Sequence, residues 1–256
     1  MAKKTEFDES KLSAKERRQY QRLYFDFQQG RLRQILGAEV IWPDDSCAEV
    51  YDMSYSGAAL RLPKKLRVKR GEFYRLKIAL GQNLPIEVEA EIIWVREHIA
   101  GIRWAIMPPE VHSSFAKFLV DKLVGANLTP IHPQFFSESM TFDYWFHGPK
   151  DTNLYLWMER SERGEKTNRV DRAVVELDDQ TLVYEYGSLS CGQRSPDWEV
   201  QRDYGDAEEW LDNWEAIGQN DVIVQRTLSL LSQVPEMKAP LRSLMMELDE
   251  RGEGGA

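Results

Sequence analysis

Tyr74-Arg75-Leu76-Lys77-Ile78-Ala79-Leu80 and Ile86-Glu87-Val88-Glu89-Ala90-Glu91-Ile92 are two runs in which apolar side chains alternate with polar or small ones. A period of two places Tyr74, Leu76, Ile78 and Leu80 on one face, and Ile86, Val88, Ala90 and Ile92 on one face of the next run. Each run reads as a half-buried strand, and Gly81-Gln82-Asn83 between them supplies turn chemistry. Strand character begins at Arg33, and shorter runs near 35–42, 47–53, 57–62 and 99–106 read the same way. Pro43-Asp44-Asp45 and Pro108-Pro109 punctuate the series. Several short strands at this spacing predict a small antiparallel barrel or sandwich.

A helix follows. Pro109 stands near its start, Val111, Phe115, Phe118, Leu119 and Leu123 trace one apolar face, and Gly125 and Asn127 end it. Pro130 and Pro133 mark 126–134 as a linker. Beyond it, 140–147, 153–159, 172–178 and 181–186 read as strands, with Asp178-Asp179-Gln180 as a hairpin turn and 161–169 as a long exposed loop. Helical patterns then take over. Asp206 and Glu209 form a capping box ahead of Trp210, Leu211, Trp214 and Ile217. Ile223, Thr227, Leu230, Leu231 and Val234 form a second stripe, and Pro240 opens a third through Leu241, Leu244, Met245 and Leu248. The predicted fold is α+β in two domains. A flexible arm (1–16) precedes a barrel with its helix (17–125), and the linker leads to a strand meander ending in helices (135–250) and a disordered tail (251–256).

The net charge of −9 over 256 residues is unevenly spread. Residues 1–125 carry 21 Lys and Arg against 17 Asp and Glu, a net of +4, and the remainder carries 12 against 25, a net of −13. The basic half suits an anionic ligand; the acidic half would repel nucleic acid and lipid and suits a protein partner. Two cysteines, Cys47 and Cys191, are too few for a disulfide framework and point to a reducing cytoplasm. No stretch approaches the apolar length of a membrane span, and the polar N-terminus does not resemble a signal peptide. His98, His112, His132 and His147 lack metal-ligand spacing, so no metal is expected. Cys191 reads as a small loop thiol without a partner base. Asp178-Asp179 and Glu208-Glu209 read as turn and helix-start residues. No catalytic motif appears, and an enzyme within 134–256 has none behind it.

Two short motifs stand out from this background. Arg17-Arg18-Gln19-Tyr20-Gln21-Arg22 is an RRxxxR stretch just ahead of the first strand, and Asp52-Met53-Ser54-Tyr55-Ser56-Gly57 is a DxSxxG stretch at a strand junction. Together with Gly101-Ile102-Arg103-Trp104, a Gly-apolar-x-aromatic strand, they resemble the PilZ family of cyclic di-GMP receptors over roughly residues 15–125. The resemblance implies cyclic di-GMP as ligand, no cofactor and no catalysis. Arg17, Arg18, Arg22, Asp52, Ser54 and Gly57 would be the binding residues. An arginine ahead of RxxxR, here Arg17, accompanies two stacked nucleotides in the family.

The residue chemistry fits that ligand. Guanine O6 and N7, like a phosphate, suit the planar fork of an arginine. Arg18 and Arg22 are four apart and share a side of a helical turn, so the arm is expected to fold over the ligand. Asp52 and Ser54, two apart on a strand, share a face, where a carboxylate accepts from guanine N1–H and N2–H₂ and a serine adds a small donor and acceptor. Gly57 lets the chain turn where a side chain would crowd the ligand. Arg61 and the cluster Lys64, Lys65, Arg67, Lys69 and Arg70 read as solvated surface. Trp145, Trp157, Trp198, Trp210, Trp214, Tyr144, Tyr155, Tyr184 and Tyr186 read mainly as core, and any that are exposed would serve protein docking. The expected function is a receptor that changes conformation on binding and signals through protein contacts. The alternative is a degenerate scaffold of the same fold that binds protein without nucleotide.

Overall fold

The computed structural model describes residues 21–25, 31–105, 107–136, 140–194, 211–216 and 222–251, with backbone alone at 193–194, 211–216 and 251. The first elements are β1 (Leu23–Tyr24), α1 (Arg31–Leu36), β2 (Ala38–Ile41), β3 (Cys47–Ser54), β4 (Gly57–Arg61), β5 (Phe73–Leu80), β6 (Ile86–Arg96), β7 (Ile99–Trp104) and α2 (Pro109–Ala126). They are followed by β8 (Thr129–Pro130), β9 (Tyr144–His147), β10 (Asn153–Arg160), β11 (Lys166–Leu177), β12 (Gln180–Glu185), β13 (Ser188–Arg194), β14 (Leu211–Ala216), α3 (Val222–Leu231) and α4 (Lys238–Arg251). These elements form two compact units. The first holds β1, β3, β4, β6, β7, nearly all of β2 and β5, and the start of α2 as far as Phe115. The second holds α1, the Leu80–Asn83 turn and the chain from Ala116.

In the first unit β3, β2, β5, β6, β7 and β4 pair in that order, and β4 returns to β3, closing a six-stranded antiparallel barrel. The two alternating runs form its hairpin, with Tyr74 opposite Ala90, Leu76 opposite Val88 and Ile78 opposite Ile86. Leu76, Ile78, Val88, Ala90 and Ile92 are buried, while Arg75 and Lys77 stand outside opposite Glu89 and Glu87. Val40, Val50, Met53, Ala58, Leu60, Ala100 and Ile102 fill the rest of the interior. Trp104 packs edge-on against Phe115 of α2 at 5.4 Å. The expected barrel and following helix are therefore present.

The second unit is a seven-stranded antiparallel meander in the order β14-β13-β12-β11-β10-β9-β8. Alternation divides its side chains between two faces. Leu154, Leu156, Ala173, Val175, Leu182 and Tyr184 join Ile223, Leu230, Leu241, Leu244 and Leu248 of α3 and α4 in one core. Tyr155, Val174 and Val183 lie on the other face with Phe142, flanked by Phe136, Trp145 and Trp157. Tyr155 is buried and stacks on Trp145 at 5.9 Å, so those aromatics are largely core. Tyr186 is 78% exposed.

Four expectations need correction. Residues 35–36 are helical, because Leu32, Ile35 and Leu36 at i, i+3 and i+4 face the core of the second unit, where Leu36 is fully buried. The 161–169 loop is shorter, since β11 starts at Lys166 and pairs there with Arg160. Cys191 lies on β13, opposite Leu182 and buried, rather than in a loop. Residues 211–216 form β14, not a helix: Trp214 pairs with Gly192 and Glu215 with Cys191, so an open strand edge outweighed a local helical spacing. Asp206, Glu209, Trp210, Ile217, Trp198, the arm 1–16 and residues 252–256 lie outside the described residues. Residues 126–134, read as the linker, include β8, which pairs with β9.

Arg226 on α3 ties this unit together. Its guanidinium donates to Asp121 of α2 at 3.1 and 3.2 Å and to Asp178, in the β11–β12 turn, at 2.6 Å. These bonds, with Asp121 first, raise its pKa above the usual arginine value. Arg226→Ala leaves the buried Asp121 without its counter-charge and is expected to cost about 2–3 kcal/mol, less than a fully buried pair because Arg226 keeps some water contact. Urea unfolding followed by far-UV circular dichroism checks this, and Asp121→Asn should recover part of the loss.

Candidate ligand site on the outer face of the barrel

Val50 and Met53 both point into the barrel although they are three apart. The cause is a bulge in β3: Val50 pairs with Leu60 but Asp52 pairs with Ala59, leaving Tyr51 as the extra residue. Past the bulge, Met53 faces inward, so Asp52 and Ser54 face outward by alternation. On the opposite edge of β3, Leu23 of β1 sits across from Met53 and Tyr24 across from Asp52. Arg22, just before β1, therefore lies beside Asp52, and its Nη1 donates to Asp52 Oδ1 in an ion pair spanning thirty residues of chain. Asp52 is 8% exposed. A carboxylate that buried needs its counter-charge, and the guanidinium supplies it.

Ser54 is buried and holds the β3–β4 turn. Its hydroxyl lies 3.3 Å from the Gly57 carbonyl, to which it can donate, and accepts from the Ser56 N–H at 3.3 Å. The Ser54 carbonyl accepts from Trp104 Nε1 at 3.3 Å, and the Ser56 carbonyl accepts from the Trp104 N–H at 3.1 Å. Tyr55 stacks on His112 of α2 at 5.8 Å, and burial raises its pKa. Gly57 pairs with Arg103, and a Cβ there would sit 2.2 Å from the Ile102 carbonyl oxygen. Close strand approach in the barrel wall therefore demands this glycine by itself.

Continuing outward from Asp52, Ala59 pairs with Gly101, and Gly101 pairs with Trp94 across a second bulge at Ile93. One row thus crosses the wall as Tyr24, Asp52, Ala59, Gly101 and Trp94. Arg103 on the same face is paired with Glu91 at 2.5 Å, and Arg61 with Glu49 at 3.2 Å. Lys64, Lys65, Arg67, Lys69 and Arg70 are all exposed. Of the six residues expected to bind, the structure gathers Arg22, Asp52, Ser54 and Gly57 at one junction; Arg17 and Arg18 lie outside the described residues. Trp94 was not singled out from sequence. The unbroken apolar run Ile92-Ile93-Trp94-Val95, which ends the alternation, is the trace its bulge leaves there.

In the second unit a cavity of about 150 Å³ is lined by Glu159, Arg169, Asp171, Tyr184, Tyr186 and Glu247. Three of its polar groups are engaged with one another: Tyr184 donates to Glu247, and Arg169 pairs with Glu247 at 3.3 Å. Among the described residues no cluster of three or more His, Cys, Asp or Glu could hold a metal ion. No helix among them is long and apolar enough to cross a membrane.

The first unit is thus a small closed barrel whose lumen is packed with side chains and whose candidate ligand groups stand on the outside of its wall. The family model of the PilZ domain matches residues 16–120, the stretch over which the motifs resemble that family. The match takes in all six expected positions and does not reach the second half. Among solved structures, the chain is similar to the PilZ domain of YcgR from Escherichia coli with c-di-GMP, at 16% identity over 41% of this chain and 89% of that one, TM-score 0.33. It is also similar to the Bacillus subtilis inhibitor of motility MotI/DgrA, at 20% identity over 42% of this chain and 51% of that one, TM-score 0.34. No curated protein matches the chain.

Proposed function

We propose that this protein is a cyclic di-GMP receptor whose site comprises Arg17, Arg18, Arg22, Asp52, Ser54 and Gly57. The observation that carries the reading is the Arg22–Asp52 pair, in which the two motifs meet on one outer face of the barrel. Asp52 accepts from guanine N1–H and N2–H₂, while Arg22, with Arg18 from the arm, takes a phosphate or the O6 and N7 edge. In the free state Arg22 already occupies Asp52, so ligand entry requires the guanidinium to share or leave that carboxylate. The arm closes as it does so, and the acidic second domain passes the change to a protein partner in the cytoplasm.

A second reading has its own support. The hydroxyl of Ser54 is used within its turn, Gly57 is required by the Ile102 carbonyl, and Arg22 neutralises Asp52, so each of these four motif residues has a structural task without ligand. A PilZ-fold scaffold without nucleotide would look the same. Calorimetric titration of the full chain with cyclic di-GMP and, separately, cyclic di-AMP separates the two. Heat with the guanine ligand and little or none with the adenine ligand is expected. No heat with either leaves the scaffold.

A further inference from the structure

The polar cavity of the second unit has a lining that packing does not account for. Val170 and Ala173 both join the core with α3 and α4 although they are three apart. Trp157 pairs with Arg172 and Met158 with Val170, so Asp171 is the extra residue of a bulge in β11. The bulge brings Asp171 to a cavity of about 150 Å³ that Glu159, Arg169 and Glu247 also line, three carboxylates around one guanidinium. Glu247 takes up Arg169 and the Tyr184 hydroxyl. Glu159 accepts from the Thr167 hydroxyl at 2.9 Å. Neither Glu159 nor Asp171 forms an ion pair with a described residue, so the cavity keeps an excess of negative charge.

Tyr186 stands at the rim, 78% exposed, in the turn between β12 and β13. Its φ is 43° and that of Gly187 is 81°, a turn whose central positions ordinarily take asparagine or glycine. The Tyr186 N–H donates to the Asp171 carbonyl at 3.0 Å, which ties the turn to the bulge. A large aromatic side chain is thus held in a costly backbone conformation and presented to solvent beside the unpaired carboxylates. A volume of about 150 Å³ is half or less of the roughly 300–1,000 Å³ of a small-molecule pocket, so one side chain fits and a whole metabolite does not. Excess negative charge selects a cation, and a planar guanidinium can both fork onto carboxylates and stack on a phenol ring. We infer that this cavity is a socket for an arginine side chain of a protein partner, held by Glu159 and Asp171 and covered by Tyr186. The net charge of −13 on this half of the chain draws a basic partner surface toward it. The inference rests on the reading of the second domain as the part that engages protein, and not on the cyclic di-GMP site.

The test titrates the ¹⁵N-labelled full chain with the blocked tripeptide acetyl-Gly-Arg-Gly-amide and follows amide shifts by NMR. The same tripeptide with citrulline or glutamate in place of arginine, and free arginine, are the other probes. Saturable shifts at Asp171, Tyr184, Tyr186 and Gly187 are expected with the arginine peptide. Affinity should fall at least about tenfold with citrulline, which keeps the shape and loses the charge, and in Asp171→Asn. Tyr186→Asn suits the turn and removes the ring, so it should bind several-fold more weakly; the spectrum of each variant shows whether the fold is kept. Equal binding of the citrulline peptide, or undiminished binding in both variants, overturns the inference. Free arginine binding more than about tenfold tighter than the blocked peptide assigns the cavity to a small molecule and overturns it too. Saturable shifts confined to another surface of the second unit overturn this socket and leave the protein-docking reading standing. No saturable shift with any probe overturns the socket, and cyclic di-GMP binding, titrated separately, is untouched by either result.

Discussion

Arg22→Ala is expected to weaken cyclic di-GMP binding at least about a hundredfold, close to 3 kcal/mol. The loss combines a charge-assisted contact to the ligand with a change at Asp52, which is 8% exposed and has Arg22 as its ion-pair partner. Arg22→Lys separates charge from geometry. A lysine keeps the positive charge but not the planar fork, so it should recover little of the affinity if the fork reads a phosphate or guanine edge. Asp52→Asn is expected to keep the fold and reduce the preference for guanine over adenine, since an amide presents donors as well as an acceptor to N1–H and N2–H₂. Calorimetry gives the affinities, and urea unfolding of the same variants shows whether the barrel itself has suffered. Undiminished binding in Arg22→Ala, with lowered stability, would assign the pair to pinning β1 against β3.

The second large effect lies in the second unit. Lys122 of α2 is 1% exposed, its Nζ 3.3 Å from the Phe118 carbonyl, 3.4 Å from Ser229 Oγ and 3.9 Å from the centre of the Phe118 ring. Burial lowers its pKa to about 7, opposed only in part by the neighbouring Asp121, which already pairs with Arg226. In the unfolded chain a lysine titrates near 10.4. Between those two values the unfolded chain binds the extra proton, so stability rises with pH across that window. Below about pH 7 both states are protonated, and the fold carries the full cost of a buried cation.

Lys122→Met keeps the length and removes the charge. It is expected to stabilise the second unit by a few kcal/mol near pH 7, because each tenfold loss of proton affinity on burial is worth about 1.4 kcal/mol, and the gain should shrink toward pH 10. Urea midpoints measured from pH 6.5 to 10 should climb for the wild type relative to the variant. Parallel curves would show that the ammonium is solvated in the native state.

The barrel was legible because its signal is local. Leu76, Ile78, Val88, Ala90 and Ile92 alternate with charges, and a strand buried on one face allows only one register. The helix at 109–126 was legible for the same kind of reason. β14 was not, because Leu211 and Trp214 have helical spacing and only the open edge of β13 made them a strand. α1 was missed because six residues carry too little periodicity to separate helix from strand, and the core that selects the helix is supplied by residues far along the chain. Within the site, the pairing of Asp52 with Ser54 on one face followed from a period of two. The place of Trp94 did not, because a bulge shifts a side chain to the other face of a sheet and leaves only a broken alternation in the sequence.

Residue types and local periods determined, without any structure, that a run of short antiparallel strands precedes a helix, that an arginine motif stands ahead of the first of those strands and that an Asp-Ser-Gly motif sits at a junction between two of them. Those properties depend on neighbours within a few positions. Tertiary structure alone decided that six strands close into a barrel, that Arg22 meets Asp52 and that Gly57 answers to the Ile102 carbonyl. It alone laid the indole of Trp94 on Gly101, on the same outer face of the wall as that carboxylate. Each of those contacts joins residues far apart in the chain, and a sequence pattern carries no record of which strand edges close on one another or where a bulge turns a side chain outward.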